Sequence, residues 1–390
     1  MINQYSKIGK LISLCCPNGV EFKKLGEVCK FRRGSSITKK DVTGGDIPVI
    51  AGGQKPAYYH NIANRNGETI SVSSSGAYAG FVNFWTIPIF LSDSFSVDPD
   101  LKILLPKYVF YFLKNLQEEI HLSKKGGGVP HVRGSDLAAM KIPIPPFPIQ
   151  GEIVKILNMF TELEAEIEAE IEARNVQYGY YRKKLLEPKK NSVEWMRLGD
   201  VAKYRRGSFP QPYGESRWYD GEDAMPFVQV ADVDGKMTLV NDTKRKISKL
   251  AQTMSVFVPA GTVLVTLQGS IGRVAITQYD CYVDRTLAIF EKFRININKK
   301  YFAYQLEKKF AIEKESARGS TIKTITKEEF TEFTIPVPSL EEQNKVVTML
   351  DKFNTLVNDI SIGLPAELNA RRQQYEYYRN KLLTFKEYVG

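Results

Sequence analysis

The chain has 390 residues, 43% hydrophobic and 25% charged, which suits a globular protein with more than one core and not a disordered or fibrous one. No apolar run reaches the roughly 18 residues of a membrane span. The four cysteines lack C-x-x-C spacing and the three histidines are scattered, which argues against a disulfide framework and a zinc site. The formal charge of +10 favours a polyanionic partner, most often nucleic acid.

Segment 1–21 has a short apolar patch but no small-residue cleavage site, so no signal peptide is expected and the chain is placed in the cytoplasm. Its "KLISLCCPNGVEF" parallels "KLLEPKKNSVEW" further on, with a one-residue slip. The N-terminus is therefore expected near the end of the C-terminal helix. A first globular unit follows over 22–148. "FKKLGEVCKFRRGS" places Arg32 and Arg33 at a strand end, and the insert after it carries Lys39 and Lys40. "IPVIAGG", "ETISVSSS" and "GFVNFWTIPIFLS" read as short strands broken by Gly, Ser and Pro. Ser74, Ser75 and Tyr78 offer polar tips able to reach base edges or phosphates. Residues 106–120 read as a helix. The loop "HLSKKGGGVPHVRGSD" at 121–136 holds Lys124, Lys125, His131 and Arg133, whose cations and exposed backbone N–H groups suit phosphate oxygens. The same residues also read as ordinary surface charge on a plain loop.

A Pro-rich stop, "IPIPPFP", precedes a long helix over 149–188. Ile156, Phe160, Leu163, Ile167, Ile171, Tyr178, Tyr181 and Leu185 recur mostly at steps of three, four or seven, a seam for a helix partner. From 150 to 187 the helix would run on the order of 55 Å at about 1.5 Å per residue. Within it stands the four-residue repeat "LEAEIEAEIEAR", with six glutamates between Glu162 and Glu172 that would repel phosphates. The positive charge is left to the globular parts.

The grammar then repeats over 189–340 and 341–390. "WMRLGDVAKYRRGS" at 195–208 aligns without gaps on 22–35, "IPVPSLEEQNKVVTMLDKF" at 335–353 on 142–160, and "QYEYYRNKLL" at 374–383 on "QYGYYRKKLL" at 177–186. Three blocks in the same order mean a duplicated unit with internal two-fold pseudo-symmetry. The second copy offers Arg205, Arg206, Arg217, Gln268, Ser270 and Arg273 as contacts, and Arg318, Thr321 and Lys323 in a loop equivalent to 121–136. Its helix places Leu350, Phe353, Tyr375, Tyr378 and Leu382 on the seam, but Gly363 and Pro365 are expected to bend or interrupt it. Inserts after the shared "RRGS" differ, so two binding surfaces on one scaffold would read different sequences.

No P-loop, dinucleotide fingerprint, zincin motif, hydrolase elbow or amino-methyltransferase tetrapeptide is present. No catalytic or metal-ligating residue is assigned. Taken together, the domain openings "PNGVEFKKLGEV" and "NSVEWMRLGDV", the two Pro-rich stops with the helices they open, and the duplicated "YYR-x-KLL" ends resemble the specificity subunit of type I restriction–modification enzymes across the whole chain. The resemblance implies an α+β fold: two pseudo-symmetric target recognition domains joined by two long antiparallel coiled-coil helices. It implies double-stranded DNA as ligand, two modification subunits and the restriction subunits as partners, and no membrane. S-adenosylmethionine, ATP and Mg would be bound by those partners and not by this chain. The four-residue repeats would set the distance between half-sites. Two other readings remain at this point, a stand-alone DNA methyltransferase with an unfamiliar motif and a coiled-coil adaptor binding RNA or protein.

Overall fold

The computed structural model describes residues 2–123, 130–187, 193–316, 327–359 and 361–388. The chain forms two compact units, one from Met1–Glu170 with Leu364–Gly390, the other from Ile171–Gly363. Each unit thus takes part of the 40-residue central helix, Phe147–Leu186, and part of the C-terminal helical region.

In unit 1 a four-stranded antiparallel sheet runs in the order Cys29–Arg33, Ser94–Pro99, Thr69–Ser73, Val82–Trp85. Its counterpart in unit 2 runs Ala202–Arg206, Leu287–Phe293, Val263–Thr266, Val274–Ile276 in the same order. The β-branched and aromatic content of these segments suits half-buried or fully buried pleats. A second sheet packs beside each. In unit 1 it holds Ile47–Ile50 parallel to Phe90–Leu91, and in unit 2 Met225–Val228 parallel to Cys281–Val283. The run "GFVNFWTIPIFLS" is therefore two strands in two sheets, separated at the turn before Pro88. The helix expected over 106–120 is also divided, into Pro106–Asn115 and Gln117–Leu122.

The duplicated residues perform matched jobs. Gln150 is fully buried; its Nε2 donates to Pro145 O (2.7 Å) and Ile103 O (2.8 Å), and its Oε1 accepts from Leu105 N (2.9 Å). Gln343 donates to Pro338 O (2.9 Å) and accepts from Asn298 N (2.8 Å). Each amide satisfies backbone groups that burial would otherwise strand. Tyr108 OH and Tyr301 OH donate to the carbonyls of Pro143 and Pro336, at 3.1 and 3.2 Å. Gly80 and Gly272 have φ of +85° and +75°, and a Cβ there would lie 2.8 Å from Ile120 Cγ2 and 2.4 Å from Phe310 Cγ. Only glycine lets this turn meet the neighbouring helix.

The helical seams pair within each unit. In unit 1 Phe160 stacks on Tyr378 (centroids 5.4 Å) and lies 6.2 Å from Tyr375, while Arg372 bonds Glu164 and Glu168 at 2.5 Å each. Partners fall in number as the central helix rises, so these segments are antiparallel. In unit 2 Phe353 stacks on Tyr181 (5.6 Å) and lies 6.4 Å from Tyr178. Ile156, Ile167, Leu350 and Leu382 are buried, and Leu163, Ile171 and Leu185 half-buried. The C-terminal region is two helices, Leu340–Asn358 and Leu364–Leu383. A Cβ at Gly363 would sit 2.4 Å from Thr355 O, which explains a glycine at the break. Val20 N donates to Lys386 O (2.8 Å) and Tyr388 N to Val20 O (2.9 Å), tying the segment after the first helix, Ile2–Cys15, to the chain's last described residues. No helix among the described residues is long and apolar enough to cross a membrane.

Candidate nucleic-acid interface

The paired arginines separate into two classes. Side chains alternate across a strand, so Arg32 and Arg33 face opposite ways, as do Arg205 and Arg206. Arg32 is ion-paired with Asp98, and Arg205 with Glu291 at 3.6 Å, at matching positions of the two sheets. Arg33 and Arg206 are exposed and make no ion pair among the described residues. Arg65, which the sequence did not single out, braces this strand: its Nη2 donates to the carbonyls of Arg32 (3.0 Å) and Arg33 (3.1 Å), and its Nε to Ser96 Oγ (2.9 Å).

Unit 1 has a cleft of about 730 Å³ lined by Phe31, Arg33, Ser74, Asp93, His131 and Arg133, among others. A smaller hollow of about 340 Å³ shares Arg33, Ser74 and Asp93 with it. Backbone bonds assemble it. Val132 N donates to Ser74 O (2.9 Å) and Gly76 N to Pro130 O (3.0 Å), which brings His131 beside Ser75. Four of the expected contacts, Arg33, Ser74, His131 and Arg133, thus converge, and Ser75 Oγ donates to Asp93 at the wall. Lys39 and Lys40 are exposed on a turn whose start is held by Thr38–Asp41 bonds, and Tyr78 is exposed on the turn before Gly80. Neither group lines the cleft. Lys124 and Lys125 lie outside the described residues.

In unit 2 Gln268 and Ser270 stand on the turn after Val263–Thr266, half-buried and exposed. Arg273 Nη1 donates to Val233 O (3.3 Å), which ties that guanidinium back to the protein. Arg217 is ion-paired with Glu215 and lies 4.3 Å from the Trp218 ring. Around it is a cluster with no counterpart described in unit 1. Phe209 packs on Tyr213 (4.8 Å), Tyr219 (5.4 Å) and Phe227 (4.6 Å), with Arg245 over Tyr219 at 4.6 Å and Arg285 over Tyr213 at 5.3 Å. Such cation–π seats fix a guanidinium's plane while leaving its donors outward. Sequence reading missed Arg245 and Arg285. The signal was the aromatic density of "FPQPYGESRWY", which gives no hint of cations arriving from 245 and 285. Arg318, Thr321 and Lys323 lie outside the described residues.

Little here resembles a reaction centre. Cys29 and Cys281 are buried, and burial pushes each thiol up to about 12, the opposite of an activated nucleophile. No group of three metal-capable side chains occurs among the described residues. The arrangement suits recognition of a polyanion with polar edges: cations that make no ion pair among the described residues, beside hydroxyl, imidazole and amide groups.

Comparison with known proteins gives the same direction. The family described as "Type I restriction modification DNA specificity domain" matches twice, over residues 17–173 and 191–370. The specificity subunit of the type I restriction enzyme EcoR124I/EcoR124II of Escherichia coli is 31% identical over 403 residues, covering 94% of each chain. Among solved structures, a chain from a study of complex assembly and conformational transition of the type I restriction–modification system superposes with a TM-score of 0.65 at 19% identity, covering 94% of this chain and 98% of that one. The S subunit of such a system from M. genitalium gives 0.56 at 18% identity, over 94% and 96%.

Proposed function

The chain belongs to the type I restriction–modification DNA specificity family, and from that membership we propose how its own residues serve as the specificity subunit of such a complex. Each unit reads one half of a bipartite DNA site. The observation that carries this reading is the matched pair of frames: among the described residues Arg33 and Arg206 stand without ion pairs at the same place in two copies of one sheet, amid dissimilar neighbours. Contacts to phosphate fix register and contacts to base edges carry sequence. Arg33, Arg133 and Arg206 take phosphates, with Lys39, Lys40, Lys124, Lys125, Arg318 and Lys323 adding to the field. Ser74, Ser75, His131, Gln268, Ser270 and Thr321 approach base edges, and Tyr78, Arg217 and Arg273 border them.

The chain is a recognition scaffold that transfers no methyl group and cleaves no DNA. Two modification subunits bind S-adenosylmethionine and methylate adenine; restriction subunits supply ATP- and Mg-dependent translocation and cleavage, and the complex works in the cytoplasm. Tyr180 and Tyr377, from the duplicated helix ends, support two identical partners. They are 62% and 59% exposed, and each is flanked by a lysine, Lys184 at 5.9 Å and Lys381 at 5.6 Å. One such aromatic on each unit offers two copies of one partner the same docking patch.

Mapping methylated adenines in the source genome with and without this gene tests the proposal. Loss of one bipartite motif is expected; an unchanged methylome in a strain whose modification subunits are active refutes it. The purified chain with S-adenosylmethionine and DNA alone should transfer no methyl groups.

A further inference from the structure

One turn occupies the same place in both frames and exposes a carboxylate in unit 1 and a guanidinium in unit 2. In unit 1 it joins Leu91 to Ser94 through Ser92 and Asp93. The strand bearing Arg33 and the segment bearing Ser74 clasp it: Ser35 N donates to Leu91 O (2.9 Å), Gly34 N to Ser94 O (2.8 Å), and Ser74 N to Asp93 O (3.1 Å). In unit 2 the same three bonds recur as Ser208 N to Val283 O (3.1 Å), Gly207 N to Leu287 O (3.2 Å) and Leu267 N to Thr286 O (2.8 Å). The bonds establish equivalence, and the turn in unit 2 is longer by one residue, with Arg285 between Asp284 and Thr286. A Cβ at Gly34 would lie 2.4 Å from Leu91 O, and one at Gly207 2.1 Å from Val283 O. The glycines therefore hold each turn hard against the arginine strand.

The two turn residues are fixed differently. Asp93 is exposed in the cleft with Arg33, His131 and Arg133; its Oδ2 accepts from Ser75, and its Oδ1 has no hydrogen bond among the described residues. A carboxylate repels phosphates, so its presence among cations suits an amino group on a base edge. Arg285 is exposed and makes no ion pair among the described residues. Its guanidinium rests on the Tyr213 ring, which is itself held by the bond from Tyr213 OH to the buried Asp284 carboxylate and by packing on Phe209. Asp284 also accepts from Thr286 N (2.9 Å), so it is committed to shaping the turn.

Resting on the reading of two half-sites above, we propose that this turn sets the donor–acceptor chemistry of each half-site. Asp93 accepts from the amino group of a cytosine or adenine, and Arg285 presents its donor fork to the O6 and N7 of a guanine. One scaffold thereby reads two different sequences through one turn, in which Asp93 stands where unit 2 has Thr286 and Arg285 is the inserted residue beside it.

The test uses the full chain assembled with its modification subunits and selects bound sequences from randomised duplexes. Wild type should select two half-sites. Arg285→Ala should lower the preference for guanine at one base pair of one half-site, roughly tenfold, with the other half-site unchanged as an internal control of folding. Arg285→Lys keeps the charge without the fork and should lose the same preference while overall affinity holds. Asp93→Ala should relax one cytosine or adenine in the other half-site. Unchanged base preferences in both variants overturn the assignment. So does a uniform loss of affinity with every preference retained, which is the signature of a phosphate contact. A wild type that selects no two-part motif removes the functional reading and this assignment with it.

Discussion

Units 1 and 2 share their supports and differ in what those supports hold. The buried glutamines, the tyrosines bonded to proline carbonyls and the stacked phenylalanines coincide pair by pair. The surfaces do not. Unit 1 has a polar cleft with Asp93 and His131; unit 2 has an aromatic cluster on which three arginines rest. Duplication therefore preserved what folds the unit and released what reads the ligand. Supports also differ in degree, and those differences can be used to break the equivalence.

The largest effect is expected at the seam. Each phenylalanine faces two tyrosines, but Phe160 is 4% exposed, whereas Phe353 is half-buried and its stacking partner Tyr181 is 37% exposed. Phe160→Ala should cost about 3–4 kcal/mol and Phe353→Ala about 2 kcal/mol, since truncation cost scales with burial. Chemical denaturation monitored by hydrogen exchange in each unit reads this; equal losses would mean that both seams are packed alike. Next come the glutamines. Gln150→Ala strands three backbone groups and Gln343→Ala two, so losses of about 3 and about 2 kcal/mol are expected in the same measurement.

How much of this was legible beforehand follows from what periodicity encodes. Seam residues such as Phe160 and Tyr378 announce themselves because a helix repeats its buried face every three or four positions. The paired "RRGS" blocks announced two equivalent strands, but not that Arg32 and Arg205 would be neutralised. That depends on Asp98 and Glu291, which belong to strands brought alongside only by the fold. Asp93 and Arg285 were invisible for a related reason. Each lies far in sequence from the arginine strand that its turn abuts, and a single inserted residue gives no periodic signal. Lys124, Lys125, Arg318, Thr321 and Lys323 were chosen on the composition of two equivalent loops, and all five lie outside the described residues.

The arginine pairs give the next prediction, smaller in free energy but direct in function. Arg33→Ala and Arg206→Ala should each weaken duplex binding roughly tenfold at low salt and reduce the slope of log affinity against log salt by about one. Arg32→Ala and Arg205→Ala should change the slope less, because their charge is already met by a carboxylate. A salt titration of the four variants decides it. Equal slopes for all four would mean that the ion pairs open on DNA and that both faces of the strand contribute.

The smallest effect concerns the four-residue repeat. Glu164 and Glu168 are one helical turn apart, so both reach Arg372, which sits in unit 1 where the C-terminal helix passes. The aligned position in unit 2 is Asn175, within "ARNVQYGYYR", and no equivalent ion pair occurs there among the described residues. The Arg372 side chain is 46% exposed, and Glu164 and Glu168 are 24% and 53% exposed. Solvent screening therefore limits this bifurcated pair to less than about 1 kcal/mol. Arg372→Ala should lower the stability of unit 1 by that amount at low salt, and the difference should shrink toward 1 M salt, where the screening length falls to about 3 Å. A loss that persists in high salt would assign Arg372 a packing role through its aliphatic stem. The glutamates of the repeat would then be free to vary in charge without cost to the helix pair.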